Sequence, residues 1–218
     1  MRKETKNTRD NYIKSLFALE DEPLAEIINS LKDGESQMQI SPVEGKILYL
    51  LAKLCNAHKV VEIGALGGYS AIWLARALSD NGKIYTIEAD PRKISRIETN
   101  IKNCGVSHKV EVILGIGRDI LPKITNKGPF DMVFIDADKA NYLNYLNWAD
   151  NNVRKGGLII GDNTFLFGAV YGDNTKGKKQ ETIDIMHKFN KQLSNNTKYT
   201  SIILPTEHGM TIALKNYK

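Results

Sequence analysis

Two short stretches place oxygen-bearing side chains directly after apolar runs. One is Phe134-Ile135-Asp136-Ala137-Asp138-Lys139-Ala140-Asn141-Tyr142; the other is Gly161-Asp162-Asn163. Each preceding run suits a buried strand, and consecutive parallel strands usually lie side by side. Asp136, Asp162 and Asn163 are therefore expected to converge three oxygens on one hard cation, with room left for water and substrate. All-oxygen ligation suits Mg²⁺, with Mn²⁺ or Ca²⁺ as substitutes. Alone, Asp162-Asn163 would read as an Asx turn after a strand; beside Asp136 and Lys139 the metal reading is the stronger. Lys139 falls just past the metal aspartate, where positive charge favours its neutral form and fits it for general-base work. A solvated surface lysine is the alternative for that residue. An aromatic or enolic hydroxyl with a pKa of about 10 needs a shift of about 3 units to ionise at neutral pH, roughly 4 kcal/mol. A divalent ion supplies a shift of that size. The chemistry implied is deprotonation of a hydroxyl, with Asp136 and Lys139 as its catalytic residues.

A second constellation is glycine-rich: Glu62-Ile63-Gly64-Ala65-Leu66-Gly67-Gly68-Tyr69-Ser70. It departs from GxGxxG and lacks the lysine of a Walker loop. Gly64, Ala65 and Gly68 are read as the turn that lets backbone pass close to a cofactor. Charge decides which cofactor. A dinucleotide brings a pyrophosphate that favours helix N–H groups and no adjacent carboxylate. Here Glu62 precedes the loop and Asp136 ends the central strand, which suits a ligand carrying an ammonium and a sulfonium, S-adenosylmethionine. Glu88, at the end of the next strand, is placed to accept the ribose hydroxyls. One such acid could be a helix cap; acids at successive strand ends are not explained that way.

The elements that must position these groups follow from periodicity. Val60–Ile63, Ile84–Ile87, Val110–Leu114, Met132–Ile135 and Leu158–Ile160 are short runs apolar at nearly every position, as strands covered on both faces are. Helical stretches near 69–78, 91–103, 119–125 and 140–152 alternate with them, the pattern of a doubly wound α/β sheet. The final strands, Tyr199–Leu204 and Met210–Leu214, are joined by five residues, too few for a crossover helix, so they are expected to be antiparallel. Before Lys59 the chain reads as helical. Leu16, Leu19, Leu24, Ile27, Ile28 and Leu31 recur at helix spacing, with Pro23 near a start and Gly34 past the end. A further helix from about Val43 is expected to turn Ile47, Leu48, Leu50, Leu51 and Leu54 toward the core. No repeat or linker divides the chain, giving one domain over 1–218: N-terminal helices in 1–56 and the sheet in 57–218.

Composition narrows the class. In 218 residues, 42% are hydrophobic and 25% charged, which excludes disordered and collagen-like chains. No apolar run reaches membrane-spanning length. The charged stretch Met1–Asp10 has no apolar core, and Cys55 and Cys104 have neither a CxxC partner nor metal-ligand spacing, so a cytoplasmic protein with both thiols reduced is expected. The net charge of +5 permits an anionic partner such as RNA without requiring one. The densest basic run, Lys176-Gly177-Lys178-Lys179, is read as a solvated loop leading into a helix.

On Met38-Gln39-Ile40-Ser41-Pro42, Glu62-Ile63-Gly64 through Gly68-Tyr69-Ser70, Phe134 through Lys139, and Asp162-Asn163, the sequence resembles the cation-dependent O-methyltransferases, a family that includes catechol and caffeoyl-CoA O-methyltransferases and bacterial relatives. The resemblance runs from about Met38 to the C-terminus. It implies a class I, Rossmann-like, seven-stranded methyltransferase sheet and usually a homodimer. It also implies cofactor contacts at Met38, Glu62, Gly64, Ser70, Glu88, Gly117 and Asp136, metal ligation by Asp136, Asp162 and Asn163, and Lys139 near the acceptor hydroxyl. Two departures fall on the acceptor side. Thr164-Phe165-Leu166-Phe167 stands where many relatives carry Leu-Trp, and Glu207-His208-Gly209 stands where Gly-Asp-Gly is frequent. A small catechol-like acceptor is the main expectation; a hydroxylated tRNA uridine or a protein side chain would use the same chemistry. An NAD-dependent oxidoreductase is disfavoured by Glu62 and the metal cluster, and a binding module without turnover by the intact Asp136, Lys139, Asp162 and Asn163.

Overall fold

The fold is described from a computed structural model covering residues 8–32 and 34–217. The N-terminal stretch whose charge argues against a leader therefore lies mostly outside the described residues. Thr8 caps α1 (Arg9–Phe17), its side chain accepting from the Asn11 N–H. After a break come α2 (Glu22–Ala25), with Pro23 in its first turn as expected, and α3 (Ile27–Ser30). Gly34, in the left-handed region at φ 83°, opens a short 3₁₀ turn over Glu35–Met38. Ser41 and Glu44 form a reciprocal capping box that starts α4 (Pro42–Leu54), satisfying two N-terminal donors at once.

The rest alternates as the periodicity requires: β1 (Lys59–Ile63), α5 (Tyr69–Ala77), β2 (Lys83–Glu88), α6 (Ile94–Asn103), β3 (Val110–Leu114), α7 (Gly117–Ile124), β4 (Phe130–Ile135), α8 (Tyr142–Asn152), β5 (Val153–Gly161), α9 (Gln180–Leu193), β6 (Tyr199–Leu204) and β7 (Met210–Lys215). One seven-stranded sheet results, in the order β3-β2-β1-β4-β5-β7-β6. The first five strands are parallel, while β7 runs antiparallel to both β5 and β6. The last two strands thus pair as their short link demands. β5 begins earlier than its apolar core, because α8 runs straight into it and a register shift opposite Phe130/Met132 absorbs Gly156 and Gly157.

Strand side chains alternate between two cores. Val60, Ile84, Met132, Phe134 and Ile160 face α4, α5 and α6; Val61, Ile63, Ile87, Val133, Ile135 and Ile159 face α7, α8 and α9. The expectation for α4 needs correction. Leu48 is fully buried, but Leu50 is 53% and Leu54 73% exposed. At about 100° per residue these two lie roughly 200° and 240° around the helix from Leu48, beyond the arc that packs on α5. Leu16, Leu19 and Ile28 are exposed as well, whereas Leu24 and Ile27 are buried. Cys55 and Cys104 are free and half-buried at the C-terminal ends of α4 and α6. Burial pushes the Cys55 thiol up to about 11, consistent with a packing role. Among the described residues no helix is long and apolar enough to cross a membrane.

Candidate active site

Strand order reverses between β1 and β4, and ligands in such sheets bind beyond the carboxyl ends at that point. The backbone there continues the ladder one residue past each strand. Gly64 N–H donates to the Ile87 carbonyl, Asp136 N–H to Ile63 and Asp162 N–H to Ile135, each at 2.9 Å. Gly64, Asp136 and Asp162 therefore stand side by side. Gly64 has φ 97°, and a Cβ on it would lie 1.9 Å from the Asp136 carbonyl oxygen. Only glycine permits that approach.

A cavity of about 580 Å³ opens here. Its wall includes Met38, Gly64, Glu88, Gly117, Asp136, Lys139, Asp162 and Asn163 from the expected set. Glu62, Ala65, Gly68 and Ser70 do not line it; they lie at the end of β1, in the loop and at the start of α5. Glu62 is wholly buried: Thr86 donates to its Oε2 at 2.5 Å, and its Oε1 has no partner. Burial pushes its carboxyl up to about 7, against the lowering effect of bonds from Ser70 and Thr86. Glu88 is buried and braces the loop. Its Oε2 accepts from Leu66 N–H and its Oε1 from Asp90 N–H, both at 2.9 Å.

The acidic end of the cavity is tightly built. Asn163 sits in the left-handed region at φ 55°, a conformation asparagine tolerates better than most residues. Its Nδ2 donates to Asp162 Oδ2 at 2.9 Å and contacts Asp136 Oδ1 at 3.4 Å. Asp162 is buried, and its Oδ1 has no partner. Burial raises the carboxyls of both Asp136 and Asp162, and for Asp162 the neighbouring Asp136 and Glu44 charges add to it. Two crowded carboxylates with an orphaned oxygen fit a divalent cation, whose charge offsets both effects. Turning the Asn163 amide over exchanges its N–H₂ for its oxygen and completes a three-oxygen set. Among the described residues no group of three or more His, Cys, Asp or Glu side chains makes a metal cluster; this set has two carboxylates and one amide.

Lys139 opens a 3₁₀ turn before α8, and its side chain keeps only 18% exposure. Its Nζ donates to the Tyr142 hydroxyl at 2.5 Å and to the Asp162 carbonyl at 3.2 Å, and lies 3.8 Å from Asp136 Oδ1. Tyr142 is fully buried, its hydroxyl fixed by the Ile135 and Asp162 carbonyls. Burial lowers the Lys139 pKa, against the opposing pull of Asp136, Asp162 and Asp138. Lys139 is thus fixed by hydrogen bonds inside the cavity, unlike a solvated surface lysine.

Several wall residues escaped sequence reasoning. Gln37, Gln39 and Glu44 come from the segment that roofs the cavity, and Gln39 Oε1 is buried without a partner. The motif around Met38 was the only signal for them. On the opposite side Phe165 N–H donates to the His208 carbonyl and Thr164 N–H to that of Gly209, each at 2.9 Å. The segment after Asn163 is thereby zipped to the β6–β7 turn. This brings the His208 and Phe167 rings together, centroids 4.4 Å apart. Lys178 also reaches the wall, so one lysine of the basic run is not solvated as expected.

Residues 15–216 match the O-methyltransferase family. The chain belongs to that family. The methyltransferase is 40% identical over 198 residues to a catechol O-methyltransferase of Niastella koreensis, covering 89% of this chain and 88% of the relative. It is 37% identical over 166 residues to one of Mycobacterium tuberculosis, covering 76% and 75%. Among solved structures, the O-methyltransferase TomG from Streptomyces achromogenes, in complex with SAM, superposes with a TM-score of 0.85 at 34% identity, covering 95% of each chain. An O-methyltransferase from Bacillus cereus in complex with SAH gives 0.82 at 33% identity, over 94% of this chain and 96% of that one. The mostly parallel seven-stranded sheet with its antiparallel C-terminal hairpin is the fold of these enzymes.

Proposed function

We propose that this chain transfers a methyl group from S-adenosylmethionine to a hydroxyl oxygen of a small catechol-like acceptor, with Mg²⁺ held by Asp136, Asp162 and Asn163. One observation carries the metal part: two neighbouring carboxylates whose proton affinity is raised, Asp136 half-buried and Asp162 buried with an unpartnered oxygen, beside a reversible amide. The bound complexes of TomG and the Bacillus cereus enzyme support the cofactor, and the names of the Niastella and Mycobacterium relatives support the acceptor class.

On this reading Glu88 accepts the ribose hydroxyls and Met38 covers the cofactor. Gly64 and Gly117 let backbone approach it, and Ala65, Gly68 and Ser70 hold the loop behind it. Glu62 Oε1 and Asp136 give the methionyl end acidic surroundings. Asp136, Asp162 and Asn163 would hold the divalent ion, which would supply the positive charge that lowers the pKa of the acceptor hydroxyl. Lys139 takes the hydroxyl proton on Nζ, its amine kept neutral by burial and aimed by Tyr142. The freed oxygen then attacks the sulfonium methyl in line, and demethylated cofactor leaves. The exposed apolar side chains Tyr12, Leu16, Phe17 and Leu19 around α1, with Leu50 and Leu54 on α4, support a homodimer, and the free cysteines fit a cytoplasmic setting.

The test supplies methyl-labelled S-adenosylmethionine with Mg²⁺ to catechol, tRNA and protein fractions separately. Label on catechol that disappears with chelator and returns with Mg²⁺ or Mn²⁺ is expected. Full turnover in excess chelator would return Asp162-Asn163 to a structural Asx turn, and label on tRNA alone would replace the acceptor.

A further inference from the structure

We propose that the acceptor is a vicinal diol on an aromatic ring that also bears a carboxylate, and that Lys178 reads this anionic group; the inference rests on the small-acceptor reading above and makes it specific. Three lysines line the cavity among the described residues: Lys93, Lys139 and Lys178. Lys93 lies 3.9 Å from Glu35, and Lys139 lies 3.8 Å from Asp136. Lys178 has no ion pair among the described residues. Its neighbours Lys176 and Lys179 are exposed, whereas Lys178 is half-buried, with Nζ 4.4 Å from the Phe167 ring centroid. A ring face is a weak partner for an ammonium, and a carboxylate is a stronger one.

The surroundings fit the same ligand. Phe167 holds φ 58° and ψ 32°, next to Leu166 at φ 48°. Two adjacent non-glycine residues in the left-handed region are strained, and such strain gathers at ligand-binding segments. Leu166 is buried and anchored by its N–H to the Asn163 carbonyl at 3.0 Å. Phe167 is left 45% exposed on the cavity, a flat apolar wall for an aromatic ring. His208 packs against Phe167 from the same wall, ring centroids 4.4 Å apart, and steadies it. The diol end would face Asp136, Asp162 and Asn163, and the anionic end Lys178. A polynucleotide would need several cations along a track; here a single lysine of the run turns inward.

The experiment compares 3,4-dihydroxybenzoate with its uncharged amide, with S-adenosylmethionine and Mg²⁺, in wild type, Lys178→Met and Lys178→Arg. Wild type is expected to favour the acid by about tenfold in kcat/KM, the size of one charged hydrogen bond. Lys178→Arg should keep that ratio, and Lys178→Met should bring it to within about twofold, with the change in KM. Calorimetric titration of the acid with the demethylated cofactor and Mg²⁺ present needs no turnover, and its Kd should rise about tenfold in Lys178→Met. An acid-to-amide ratio and Kd unchanged by Lys178→Met would overturn the inference. Lys178-dependent binding of the acid without methylation would uphold this subsite and overturn the reaction. Label on tRNA, with the acid neither bound nor methylated, would overturn both.

Discussion

Lys139 combines a lowered proton affinity with a fixed position, and the two have separable consequences. Burial lowers its pKa, so the neutral amine is present at lower pH than for a solvated lysine. Lys139→Met should cut kcat by ~10²–10⁴-fold while cofactor affinity stays near wild type. The deficit should narrow as pH rises, because the acceptor then ionises unaided. A pH–rate profile checks this, and a deficit of a few-fold at every pH would leave the ion as sole activator. Glu62 offers a test that needs no substrate. Its carboxyl is pushed up to about 7 from an ordinary 4.5, so between those values the folded state holds a proton that the unfolded state has released. Its contribution to stability is therefore full below about 4.5 and declines as pH rises through 7, by on the order of 3 kcal/mol. Glu62→Gln should remove that slope. Urea titrations of both proteins at pH 5 and pH 8 should show a smaller fall in stability for the variant.

At the scale of elements, the roof of the cavity is tied down by one guanidinium. Arg96, on α6, bonds Glu35 Oε2 at 2.7 Å, the Ser30 carbonyl at 3.2 Å and the Leu66 carbonyl at 3.3 Å. It thus joins α3, the turn leading to Met38 and the glycine loop. The Arg96 side chain, with the Lys32 N–H, holds the Glu35 carboxyl at about 2, well below the usual range. Segments that cover ligands set their residence, so Arg96→Met should weaken cofactor binding by about tenfold, readable by calorimetry, without abolishing the fold. The contact of α4 with α5 depends on Gly45, where an added Cβ would come within 2.4 Å of Trp73 Cδ1 and Nε1. Gly45→Ala should cost about 1–3 kcal/mol from overpacking, seen as a lower urea midpoint.

At the scale of the whole molecule, apolar side chains are left uncovered on α1 and α4, and the proposed homodimer would close on them. A closed two-fold pair would cover them symmetrically. Leu50→Glu combined with Leu54→Glu should shift the protein from dimer to monomer in light scattering, with little loss of monomer stability because both side chains already face water. A wild-type protein that is monomeric at every concentration would rule the homodimer out.

Local pattern was enough for much of this architecture. Strands covered on both faces must be apolar at nearly every position, and a five-residue link leaves no room for a crossover, so the parallel core and the antiparallel hairpin were legible. That the acids directly after strands would stand together was legible because parallel register sets strand ends side by side, and the Asp136 and Asp162 backbone bonds show that adjacency. The facing of α4 was not legible, since five leucine and isoleucine side chains encircle the helix and only the position of α5 selects Leu48 for burial. Nor was the acceptor wall. Phe167, Lys178 and His208 are far apart in the chain; resemblance alone put the segments of Phe167 and His208 on the acceptor side, Lys178 was read as solvated, and no spacing joins the three. They meet because Thr164 and Phe165 donate hydrogen bonds to the β6–β7 turn. Periodicity records what each element buries, but side chains brought together by a loop-to-loop contact leave no period, and only the tertiary structure decides them.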